Sequence, residues 1–167
     1  MQCALALLLL ATPTVEVPKE HWVPNRSGSQ CCWCSLELLA NFHGIDAVKG
    51  VTRTHKHASG YGEIEGYLNR LNVKHRSQRP GVYDDAILHE AVKFGALIGI
   101  PGHALVAVDY DGSRIAVIDN SDLGRGVHWI PKSRWQGWAV VLYPSAPRPE
   151  LKHLQDIRES LDRLLKQ

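Results

Sequence analysis

The stretch from Ala96 to Asn120, ALIGIPGHALVAVDYDGSRIAVIDN, constrains this chain more than any other. Three short runs rich in Val and Ile lie within it, ALIGI, HALVAVDY and RIAVIDN, a composition that suits a pleated and largely buried surface. The last two are joined by Asp111-Gly112, a dipeptide that accepts the positive φ angles of a tight hairpin turn. The second half of the chain is therefore expected to form an antiparallel sheet. Further on, HWIPKSRWQGWAVVLYP supplies an approach, a turn at Gln136-Gly137 and a last strand from Trp138 to Tyr143.

The first half has a different period. Leu36, Leu39, Ala40 and His43 fall at i, i+3, i+4 and i+7, one face of a helix that stops at Gly44. Cys31 then lies at or just before the first turn. Glu63 to Leu71 and Asp84 to Gly95 read as two further short helices, with the Asp pair suited to a helix start and Gly95 to a helix end. Residues 45–61 read as a loop. Helices followed by an antiparallel sheet define an α+β domain, placed here at residues 20–144. SAPRP (145–149) reads as a linker, and in residues 150–167 Leu151, Leu154, Ile157, Leu161, Leu164 and Leu165 fall near helical spacing.

The apolar run from Ala4 to Ala11 is too short to cross a bilayer but has the length of a signal-peptide hydrophobic region. Residues 1–14 are accordingly expected to be a signal peptide and the protein to be exported, with no membrane-spanning segment. Nineteen basic residues against 17 acidic give a formal net charge of +2 with no long run of one sign, which argues against a nucleic-acid partner. Oligomeric state is left open.

Removal of the leader would take Cys3 and leave Cys31, Cys32 and Cys34, an odd number bunched in four positions and a poor disulfide framework. A zinc site needs four ligands, usually as two separated pairs, and no second Cys pair exists; His55 and His57 are read as solvated rather than as metal ligands. Cys31-Cys32-Trp33-Cys34 is also a C-x-x-C, the spacing of thiol-disulfide oxidoreductases, although it follows the polar loop NRSGSQ and not a buried strand. A third reading makes Cys31 a nucleophile. Unpaired N–H groups at a helix start stabilise a thiolate there. His103 opens a strand, and pairing across Asp111-Gly112 returns Asp119 close to it. Asn25, six residues before Cys31, offers an amide to the oxyanion that the Cys31 N–H would also meet.

With those residues in place, NRSGSQCCWCSLELLANFHG resembles the nucleophile helix of papain-like cysteine peptidases, and above all the compact bacteriocin-processing (double-glycine leader) peptidase domains. They too have an amide six residues before a Cys, a helix after it and a Gly near the helix end. GHALVAVDYDGSRIAVIDN is similar to their His-strand, hairpin and Asp, and HWIPKSRWQGWAVVLYP to their closing segment. The likeness spans about residues 22 to 144. It implies a papain-like fold, with the nucleophile helix packed on an antiparallel sheet and a C-terminal helical tail. It also implies a peptide or protein substrate, no cofactor, and a Cys31-His103-Asp119 triad with Asn25 in the oxyanion hole. His103 follows Cys31 by 72 residues, which suits the compact branch better than papain itself. The family's oxyanion residue is usually Gln, and its orienting Asp is usually followed by Pro; here Asn25 and Asn120 stand at those positions. Asn120, followed by Ser121 as in papain's own Asn-Ser, is a rival orienter. Trp33 after Cys32 nominates Cys32 as nucleophile, while the amide and Gly44 spacings nominate Cys31, which is preferred. Two alternatives stay open: a catalytically inactive peptide-binding domain of the same fold, and a C-x-x-C oxidoreductase.

Overall fold

The structure, a computed structural model, describes residues 15–145. The expected leader, nearly all of the linker and the amphipathic tail lie outside them. The first long element is the helix α1, Cys31–His43. A 3-10 turn at Asp46–Val48 and the helices α2 (Val51–Thr54) and α3 (Tyr61–Arg70) follow. Strand β1 (His75–Gln78) precedes helix α4 (Ala86–Phe94), after which come β2 (Ala96–Ile100), β3 (His103–Tyr110), β4 (Arg114–Ile118), β5 (His128–Pro131) and β6 (Ala139–Leu142). Six strands form one antiparallel sheet in the order β1-β6-β2-β3-β4-β5. The fold is α+β.

Both faces of the central strands are covered, which is why they read as continuous apolar runs. Ala104, Val106 and Val108 of β3 join the core under α1 and α3, with Leu36, Leu39, Ile64 and Leu68. Leu105, Ala107 and Tyr110 join the opposite core under α4, with Ile87, Leu88 and Ala91. Strict alternation would send Asp109, not Tyr110, to the second core. A β-bulge between Ala107 and Asp109 moves the face by one residue and aligns Tyr110 with Ile115.

Helix α1 ends as its sequence suggests. Gly44 adopts φ 67°, and its N–H bonds back to the last turn. Gly99, in β2, answers a different need: a Cβ there would lie 1.7 Å from Trp138 Nε1, so the bare backbone makes room for the indole. The hairpin turn is held by Asp111, whose Oδ1 accepts from the N–H groups of Ser113 (2.9 Å) and Arg114 (2.7 Å).

Two expectations need correction, and one strand goes unannounced in the sequence. Residues 45–61 are not simply a loop, since Thr52 N–H and Oγ1 bond to Glu37 Oε2 at 2.9 and 2.7 Å and anchor the turn of α2 to α1. Strand β1, HRSQ, carries no apolar alternation because it is a sheet edge that pairs with β6 through its backbone. Residues His128–Pro131, expected only as an approach, form the other edge against β4.

Candidate active site

Cys31 is the first residue of α1, so its thiol sits where three helix N–H groups have no intrahelical acceptor. The loop leading to it is built from its own side chains. Gln30 N–H donates to Asn25 Oδ1 (3.2 Å), and Gln30 Nε2 donates to the carbonyls of Thr52 (2.8 Å) and His55. Cys31 is half-buried, and its sulfur accepts hydrogen bonds from Cys32, His103 and the Ala104 N–H.

His103 opens β3 directly after the Pro101-Gly102 turn, opposite Ile100 of β2. Its Nε2 lies 2.8 Å from Asp119 Oδ1, which leaves Nδ1 for the thiol. Asp119 follows the last residue of β4, and the Val106–Ile118 pairing brings it back alongside β3. The same Oδ1 accepts the Ser121 N–H at 2.8 Å. Cys31, His103 and Asp119 are thus brought together in one hydrogen-bonded line.

The electrostatics follow from those contacts. Hydrogen bonding from Cys32 lowers the Cys31 thiol most; burial opposes it, and His103 and the Ala104 N–H add to the lowering, which takes the thiol to about 4. The Cys31 contact raises the His103 imidazole to about 9, with Asp119 adding to the effect against burial. Burial pushes the Asp119 carboxyl upward, but His103 and the Ser121 N–H outweigh it and hold the group below its ordinary value. Both shifts favour a thiolate beside an imidazolium at neutral pH.

The neighbouring thiols differ. Cys32 is buried, its one S–H can reach either the Cys31 sulfur or the Ser59 carbonyl 3.0 Å away, and its contact with Cys31 together with burial raises its pKa far above the ordinary value. Cys34 is buried, contacts the Pro24 carbonyl at 3.8 Å, and is pushed up to about 11 chiefly by burial. Of the two nominated sulfurs, it is Cys31 that meets the imidazole.

Asn120 does not meet it. This rival orienter is 2 % exposed, with its amide 2.9 Å from Ser35 Oγ on α1. Its role is taken up in fastening the turn to the helix. Asn25 lies at the site's edge, where Nδ2 donates to Ser121 Oγ at 3.1 Å and its backbone N–H donates to the Asn120 carbonyl at 2.8 Å. One amide hydrogen goes to Ser121, and a second remains on the same nitrogen. The turn Asp119-Asn120-Ser121 therefore grips three things in succession: the imidazole, α1 and the Asn25 loop. Sequence reasoning missed Ser121, Ser35 and the Ala104 N–H. The two serines show no periodic signal, and a backbone donor carries no letter.

His55 and His57 do not form a metal site with the thiols. His55 packs on Trp33 with ring centroids 4.2 Å apart, and His57 Nε2 lies 2.7 Å from Glu63 Oε1. No group of three or more His, Cys, Asp or Glu among the described residues is arranged to hold a metal ion. Among the described residues, no helix is long and apolar enough to cross a membrane.

A helix with Cys at its first position, packed against an antiparallel sheet whose strand opens with His, is the layout of papain-like peptidase domains, and this chain has that fold. In particular, it is similar to the peptidase domain of Streptococcus ComA, a bi-functional ABC transporter involved in a quorum-sensing pathway. That match has TM-score 0.56 and 17% identity, and it covers 74% of this chain and 97% of that one. A double-glycine motif protease from an AMS/PCAT transporter, solved with its leader peptide, matches at TM-score 0.53 and 16% identity over 81% and 96% of the two chains. The Streptococcus mutans ComA peptidase domain, solved with a small-molecule inhibitor, matches at TM-score 0.51 and 17% identity over 74% and 98%. No protein-family model and no curated protein sequence matches the chain. The fold also excludes a thioredoxin layout for the C-x-x-C, whose first Cys here follows a polar loop.

Proposed function

We propose that this protein is a cysteine peptidase acting through Cys31, His103 and Asp119. The observation that carries the reading is the line of hydrogen bonds from the Cys31 sulfur through His103 to Asp119 Oδ1 at 2.8 Å. Cys31 thiolate attacks a peptide carbonyl and forms a tetrahedral oxyanion. The Cys31 N–H and the second Asn25 amide hydrogen are its donors, with Ser121 holding the first. His103 then protonates the leaving amine as the thioester forms. Asp119 keeps the imidazole in the required tautomer throughout, and water activated by the same base releases the acyl group. The likeness to a protease solved with its leader peptide supports a peptide substrate, and a leader ending in two glycines is the first sequence to try. Export of the chain, proposed from the apolar run at Ala4 to Ala11, is checked by N-terminal sequencing of protein recovered outside the cytoplasm.

Iodoacetamide alkylation of the protein across pH 4 to 9, with sites located by mass spectrometry, tests the activated pair. Labelling selective for Cys31 well below the ~8.5 of a free thiol, and moved to higher pH in His103→Ala, is expected. Unselective labelling that ignores His103 removes the peptidase reading and leaves a peptide-binding domain of the same fold.

A further inference from the structure

Hydrolysis uses one of the three thiols in the first turn of α1 and leaves two unexplained. We propose that Cys31 is also a site of reversible oxidation by hydroperoxides, with Cys34 as the resolving thiol that closes a Cys31–Cys34 disulfide. The inference concerns the same sulfur as the proposed peptidase but rests on its thiol chemistry, not on hydrolysis.

The placement of the three sulfurs carries it. Cys31 is half-buried, so a small peroxide reaches it, whereas Cys32 and Cys34 are 3 % and 1 % exposed. All three are free. Residues three apart on a helix share a face, with Cα atoms about 5 Å apart, inside the ~4.4–6.8 Å window of a disulfide. Adjacent residues are only ~3.8 Å apart, below that window, so Cys32 is the nearer thiol but the poorer partner. Cys32 is also held by the Ser59 carbonyl at 3.0 Å, while Cys34 has only a long contact of 3.8 Å to Pro24. The turn to be adjusted is a helix end, held by the Cys34 N–H to the Gln30 carbonyl at 2.8 Å.

The chemistry balances in two steps. Cys31 thiolate attacks the terminal oxygen of a hydroperoxide; an S–O bond forms, the O–O bond breaks, and the departing alkoxide takes the proton of His103 imidazolium. Sulfur has lost two electrons and the peroxide has gained them, giving a sulfenic acid and an alcohol. Cys34 sulfur then attacks Cys31 sulfur, S–S forms as S–O breaks, and the Cys34 proton leaves with the hydroxide as water. Cys34 needs no contact with the oxidant, so its burial does not forbid the second step. Conversion of Cys31 to a neutral sulfenic acid also removes a negative charge that holds the Cys34 thiol protonated. A dithiol reductant reverses the product, whereas further oxidation to the sulfinic acid is irreversible to it.

The test treats the full chain with a few-fold molar excess of hydrogen peroxide, since the sulfinic acid consumes a second peroxide, then blocks remaining thiols with N-ethylmaleimide and maps the peptides. The wild type is expected to lose the mass of two hydrogens, to show a Cys31–Cys34 cross-link, and to recover its low-pH iodoacetamide labelling fully after dithiothreitol. Cys34→Ser and Cys34→Ala, first shown to label like wild type before oxidation, are expected to accumulate Cys31 sulfinic acid and to recover none of it. A Cys31–Cys32 cross-link, or sulfinic acid in the wild type to the same extent as in the Cys34 variants, overturns the proposal. Cross-linking by a protein that cleaves no peptide removes the peptidase reading alone.

Discussion

The two faces of the sheet are built differently. Under α4 the core is mostly apolar, from Ile87 and Leu88 to Val141. Its buried Gln78 sits on the edge strand β1 and donates its amide to the Val82 and Gly137 carbonyls; other polar groups stay at the rim, as in the Lys132 Nζ to Asp85 Oδ2 contact at 2.6 Å. Under α1 the core admits polar side chains. Ser35 and Asn120 meet inside it at 2.9 Å, and His43 is buried with a ring nitrogen 2.7 Å from the Phe94 carbonyl. A buried polar group costs stability unless it is paired, so such groups persist where they fix geometry. One face holds the domain together, and the other also holds three side chains in line.

Substitutions can separate these roles. The largest effect is expected from Cys31→Ala, which removes the proposed nucleophile and should abolish the proposed peptide cleavage, a loss of at least ~10⁴-fold in kcat. His103→Ala should follow, lowering cleavage by ~10³-fold or more and moving Cys31 alkylation to higher pH, short of an ordinary thiol because Cys32 and the Ala104 N–H remain. On the other face, Leu88→Ala should cost ~2–5 kcal/mol by denaturant unfolding. Cys31 should keep its low-pH labelling while the variant stays folded. If that labelling were lost with Leu88, the two faces would not be separable.

Asn120→Ala lies between the two, because it strips a buried partner from Ser35 and loosens the grip of the turn on α1. It should cost ~1–3 kcal/mol in stability and also lower kcat, a double effect not expected of Leu88→Ala. The smallest effect is expected at Ser121→Ala, which frees the Asn25 amide but keeps the N–H that Asp119 accepts. A loss of ~1 kcal/mol or less, in kcat and not KM, is the expected reading.

The pH dependence follows from the pair itself. The thiolate is lost as pH falls through about 4, and the imidazolium as pH rises through about 9. Cleavage of a peptide, followed as kcat/KM, should therefore be bell-shaped with limbs near those values. Below the unfolded His value of ~6.5 the folded pair holds one proton where the unfolded pair holds two, so the stability the pair gains is lost as pH falls from there through about 4. From ~6.5 up to about 9 each state holds one proton, on His103 when folded and on Cys31 when unfolded, and the two shifts offset each other. In His103→Ala that acid loss of stability should shrink, read as melting temperature between pH 4 and 7.

Much of the fold was legible because periodicity survives in the sequence wherever an element buries one stripe or both faces. Leu36, Leu39, Ala40 and His43 marked α1, and the apolar runs about Asp111-Gly112 marked β3 and β4. The edge strands β1 and β5 escaped, since an edge pairs through its backbone and HRSQ or HWIP need not alternate. The turn of α2 escaped because its anchor is Glu37, fifteen residues away. Candidate side chains were legible as types, since a Cys at a helix start, a His at a strand start and a carboxylate across a hairpin each have a local reason to be where they are.

Sequence alone determined the helix, the hairpin and the short list of residues that could work together. Only the tertiary structure decided between neighbours: Cys31 or Cys32 at the imidazole, Asp119 or Asn120 behind it, and Ser121 as the holder of Asn25. Successive residues on a helix or at a strand end point in different directions. Which direction faces the partner depends on the register of β3 with β4 and on how α1 lies across the sheet, the latter a contact between Cys31 and His103, 72 positions apart in the chain.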